Sequence, residues 1–157
     1  MPLDWNKIKE KTAAFYTESV KKIKQYTPES FSKEKQFVNS LVISLALMTM
    51  ADEKAETSEI TASLDILKDI DQIHELDMTQ EAIELYEMHI LALEEAVGNS
   101  TKWTIAIAKL LGEIARIKEY PEYCTMVENL LAYIAASDGK VDPTEVAMQE
   151  KIIACLK

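Results

Sequence analysis

Asp52-Glu53-Lys54-Ala55-Glu56-Thr57-Ser58-Glu59-Ile60 returns in chemical outline as Asp138-Gly139-Lys140-Val141-Asp142-Pro143-Thr144-Glu145-Val146. Both copies read acid, any residue, Lys, apolar, acid, any residue, hydroxyl, Glu, aliphatic. Each follows an apolar run, Leu41 to Met50 and Val127 to Ala136, and each precedes a helical pattern. At the same offset of 86, Leu45 meets Leu131, Ala46 meets Ala132, Ile60 meets Val146, Ile66 meets Ile152, Leu67 meets Ile153 and Ile70 meets Leu156. The repeating unit is therefore helix, acidic corner, helix, over residues 36–70 and again over 122–156. Two such hairpins can pack about an approximate two-fold axis and bury an apolar face that neither covers alone. The expected arrangement places both corners at one end of the molecule.

A chain of 157 residues is the size of one domain and can bury a real core. Hydrophobic residues make up 48%, whereas only three Gly and four Pro are present, which favours helices over turn-rich β architecture. The formal net charge is −10. Residues 1–35 carry eight Lys against five acids, so the remaining 122 residues hold −13. An acidic body disfavours nucleic acid, whose affinity comes mainly from basic side chains meeting phosphates. It suits cations or a basic partner surface. Cys124 and Cys155 form no CxxC and no disulfide framework, and they read as small buried hydrophobes of a reducing compartment. The start Met1-Pro2-Leu3-Asp4-Trp5 lacks the apolar core of a signal peptide. The longest apolar stretch, Leu41 to Ala51, is about half of what a spanning helix requires. A cytoplasmic protein with no transmembrane segment is expected, able to rest on the inner face of a membrane.

Trp5, Ile8, Tyr16, Val20, Ile23 and Tyr26 recur at helical steps over residues 4–26, with Lys7, Lys9, Lys11, Lys21, Lys22 and Lys24 on the other sides. Pro28 ends this basic amphipathic helix, which occupies residues 1–30 of the chain's organisation. The pattern predicts a central helix from about Lys33 to Ala51 and another with the stripe Ile60, Leu64, Leu67 and Ile70. A polar connector follows over 71–78, with room for one helical turn. Thr79 is the expected N-cap of a helix from Gln80 to Val97, closed by Gly98-Asn99. Trp103 to Ile114, Pro121 to Ala136, and a last helix opened by Asp142-Pro143 complete a single all-α domain of about seven helices.

The corners have two readings. In the second, Gly139 fits the left-handed position after a helix, Asp142 an N-cap, Pro143 the first helical residue and Glu145 a capping-box partner. Capping alone explains those residues. Glu56 resists it, because Glu is a poor N-cap and occupies the position of Asp142. Asp52 and Asp138 stand near helix C-termini, where the macrodipole disfavours an anion. The second reading is cation binding. Asp138, Gly139, Asp142 and Glu145 match positions 5, 6, 9 and 12 of an EF-hand loop, with Val141 at position 8. Ile134 and Ala136 would stand at positions 1 and 3 and cannot coordinate, so each corner is half a calcium loop. Two halves facing each other can supply the oxygens that calcium takes.

These residues also carry a family resemblance. Ala136-Ser137-Asp138-Gly139-Lys140-Val141-Asp142-Pro143-Thr144-Glu145, with the weaker copy from Met50-Ala51-Asp52-Glu53 to Glu59, resembles the TerB-like tellurite-resistance family. The basic amphipathic opening is similar as well. The resemblance implies a compact all-helical domain with an acidic motif in each half, related to domains of DnaJ-type co-chaperones. It further implies a role in tellurite or other chemical stress, with metal binding or sensing beside membrane-associated partners. Carried over, the metal site comprises Asp52, Glu56, Glu59, Asp138, Asp142 and Glu145, with calcium the expected divalent cation. Family members carry Asp-Gly in the first motif too, and Glu53 departs from this.

Catalysis has little to stand on. His74 and His89 lie in no nucleophile or zinc motif, and no phosphate-binding glycine loop is present. His89 reads as a partly buried helix residue and His74 as a solvated one. The seven Met read as core filling, although a Met-rich groove can hold a partner helix. The expectation is a non-enzymatic sensor or adaptor that binds a divalent cation through two acidic corners. Its rival is a metal-free interaction module whose acidic face docks a basic protein partner.

Overall fold

The computed structural model describes residues 28–137 and 143–157, and within them the chain is all-helical. Seven α-helices are described: α1 (Pro28–Thr49), α2 (Thr57–Asp69), α3 (Asp71–Glu75), α4 (Thr79–Ala96), α5 (Ser100–Ile114), α6 (Pro121–Ser137) and α7 (Pro143–Cys155). A short 3₁₀ turn, Ala115–Ile117, joins α5 to α6. The expected helix over residues 4–26, and Asp138, Gly139, Lys140, Val141 and Asp142 of the second corner, lie outside the described residues.

Helix α1 organises everything else. From Phe37 to Met50 every residue except Asn39 is buried, so the helix has no solvent face over nearly four turns. A helix apolar on all sides is stable only when surrounded. It packs against α2, α4, α5, α6, α7 and the 3₁₀ turn. Three hydroxyls share this interior, and each donates to a carbonyl one turn back. Ser40 donates to Gln36 at 2.8 Å, Ser44 to Ser40 at 2.8 Å, and Thr49 to Leu45 at 2.8 Å. Backbone satisfaction of this kind lets polar side chains sit in an apolar core without an orphaned donor.

The junctions follow local chemistry. Helix α1 begins at Pro28 rather than near Lys33, because the first helical position needs no N–H and accepts the fixed φ of proline. Helix α3 is the helical turn allowed for in the connector. It closes in a Schellman arrangement: Met78 N–H bonds to Ile73 C=O at 3.0 Å, and Asp77 N–H bonds to His74 C=O at 2.9 Å. Asp77 takes the left-handed position at φ 55°. Met78 and Ile73, both buried, supply the apolar contact that accompanies this motif. The closure starts α4 one residue early. Met78 C=O already accepts from Ala82 N–H at 2.8 Å, so Thr79 is the first helical residue and makes no side-chain cap. Gly98 at φ 86° ends α4, and Asn99 caps α5 by accepting from Lys102 N–H at 3.0 Å.

Burial follows the repeat only in part. Leu45 and Leu131 are both buried, as are Ile66 and Ile152, and Ile70 and Leu156. Ala46 is buried whereas Ala132 is exposed, and Leu67 is fully buried whereas Ile153 is half-buried. Helix α1 is enclosed, while α6 leaves one side to solvent, so equivalent positions meet unequal surroundings. Leu67→Ala should therefore cost about 2–5 kcal/mol of stability, and Ile153→Ala only about 1–2 kcal/mol. Urea unfolding of the two variants measures the difference, and equal losses would mean that the halves are equivalent after all.

Candidate functional site

The first acidic corner forms where α1 leaves the core. Met50 is 1% exposed, and two residues later Asp52 and Glu53 are in solvent. The chain reverses through a turn in which Glu53 N–H bonds to Met50 C=O at 2.8 Å. Glu53 itself takes φ 61°, a left-handed conformation rare for a residue with a Cβ. By the offset of 86, Glu53 stands at the register of Gly139. The corner thus makes the turn that a glycine serves best, despite carrying glutamate there.

Asp52 stabilises the turn from inside. Its Oδ1 accepts from Lys54 N–H at 3.1 Å, an Asx-type closure two residues long. Glu56 then occupies the N-cap position of α2 with extended backbone, φ −78° and ψ 146°. Its carbonyl accepts from Glu59 N–H at 3.0 Å and Ile60 N–H at 3.1 Å, but its carboxylate makes no capping bond. The acid at this position is exposed and is not used as a cap. Glu59, in the first turn of α2, is half-buried.

Beneath the corner lies a buried hydroxyl cluster that sequence reading missed. Thr49 Oγ1 lies 3.1 Å from Ser63 Oγ and 3.0 Å from Tyr86 Oη. The Thr49 proton is committed to Leu45 C=O, so Ser63 and Tyr86 are the donors to Thr49. Tyr86 is fully buried. Burial pushes its phenol above the usual range, hydrogen bonds with Ser63 and Thr49 oppose this, and the charge of Glu59 adds to it. Glu59 is thereby tied electrostatically to the cluster that joins α1, α2 and α4. Only the three hydroxyl-bearing residues themselves signalled it, and nothing in helical spacing pairs residues 14 and 37 apart.

Of the six carboxylates expected at the metal site, Asp52, Glu56 and Glu59 share the first corner. Glu145 lies in the first turn of α7 and is half-buried. Asp138 and Asp142 fall outside the described residues. Among the described residues, no group of three or more His, Cys, Asp or Glu is arranged to hold a metal ion. No described helix is long and apolar enough to cross a membrane.

Of the other titratable groups, His74 is exposed, as its polar connector led one to expect, whereas Cys124 and His89 belong to the interior. His74 Nε2 bonds to Lys68 C=O. Cys124 and Cys155 are free thiols, and burial pushes both up in pKa, with Glu128 adding to the effect at Cys124. Cys124 Sγ donates to Ile117 C=O at 3.4 Å. His89 is 5% exposed, and its Nε2 lies 3.0 Å from Asn39 Oδ1. Burial lowers its pKa, Glu113 opposes that shift and Lys109 assists it.

Comparison of the chain with protein-family models, with curated proteins and with solved structures gave no match. The TerB-like resemblance therefore rests on the sequence alone, on the two motif copies and the basic amphipathic opening.

Two outcomes follow from this geometry. Glu53→Gly should raise stability by about 0.5–1 kcal/mol, since relief of left-handed strain exceeds the added unfolded-state entropy. Chemical denaturation checks the sign, and a loss of stability would mean that the Glu53 side chain holds the turn. The second concerns pH. The folded protein keeps His89 neutral more strongly than the unfolded chain does, so its stabilising share is complete above about pH 6.5. It is lost as pH falls through the lowered folded pKa. His89→Gln should flatten the melting temperature against pH below about 6.5, and an unchanged slope would place the acid sensitivity elsewhere.

Proposed function

We propose that the chain is a non-enzymatic module of a tellurite or chemical-stress response, and that it binds a divalent cation, calcium by preference, through its acidic corners. The carrying observation is the first corner. It turns through a left-handed residue at the register of Gly139, and it presents the Glu56 carboxylate where a helix cap would be but leaves it unused. Asp52 closes the turn through Lys54 N–H, Glu59 stands half-buried in the first turn of α2 and couples to Tyr86, and the exposed Glu56 carboxylate makes no capping bond. An oxygen-rich corner of this type suits a hard cation. The motif resemblance supplies the stress context, and Asp138, Asp142 and Glu145 supply the second half of the ligand set. On this reading the cation neutralises clustered charge and fixes the pose of the two halves, which alters the surface offered to a partner.

Titration calorimetry with calcium, magnesium, manganese and zinc tests this on the intact chain. Wild type should give saturable heat, and Asp52→Asn combined with Asp138→Asn should abolish it. The amide retains an Oδ1 that can accept from Lys54 N–H, so Asp52→Asn removes charge without removing the turn. Absence of heat with every metal, together with no melting shift on chelation, would leave the corners as helix-terminating turns.

A further inference from the structure

We draw no further inference here: the strongest candidate, the exposed apolar patch of the α4–α5 hairpin formed by Met88, Leu91, Val97 and Ile105, carries nothing, because glutamates of α4 and lysines of α5 both border it and nothing in the structure shows what covers it.

Discussion

A helix enclosed on every side is the constraint from which this molecule follows. From Phe37 to Met50, α1 offers the solvent nothing but part of Asn39, so every other described helix is arranged as cladding around it or around its neighbours. Polar function must then be displayed at the ends of α1 or on the outward sides of the cladding. The first acidic corner satisfies the former condition, since Asp52 emerges as soon as the core releases the chain. The outward side of α4, with Glu84, Glu87, Glu94 and Glu95 exposed, satisfies the latter. The fold therefore separates two surfaces of acidic character: a turn with its charges on short side-chain leashes, and a helical ridge with charges around an apolar stripe.

The plan of the fold was legible because its signals were redundant. The unbroken apolar run of α1, the Gly98-Asn99 stop and the Pro121 start each agree with the tertiary arrangement. Where two local rules competed, the reading slipped by a few residues. Pro28 can end one helix or open the next, and α1 shows it in the opening role. Thr79 has the chemistry of a cap, but the Schellman closure through Asp77 and Met78 had already supplied a helix entry. The unbroken apolar run marked α1 as the central helix, but two aliphatic side chains at equivalent positions, Leu67 and Ile153, do not show how fully each is covered.

The candidate site was legible as composition and only partly as geometry. The offset that aligns Glu53 with Gly139 was the sole indication that a glutamate would adopt left-handed backbone, and glutamate propensity argues against it. That the Glu56 carboxylate stays out of the cap agrees with its poor capping chemistry. The hydroxyl cluster under the corner had no sequence signature, since Thr49, Ser63 and Tyr86 belong to three helices and meet only through packing.

That cluster carries an evolutionary consequence. Thr49 spends its only proton on a carbonyl and serves as acceptor for two buried donors. Removing it alone takes the shared acceptor from Ser63 and Tyr86 and leaves them only each other, whereas exchanging all three groups for apolar ones of similar shape is close to neutral. The trio is thus inherited as a unit: lineages sharing this architecture should keep the three hydroxyls together or lose them together, and positions 49, 63 and 86 should covary although they are scattered along the chain.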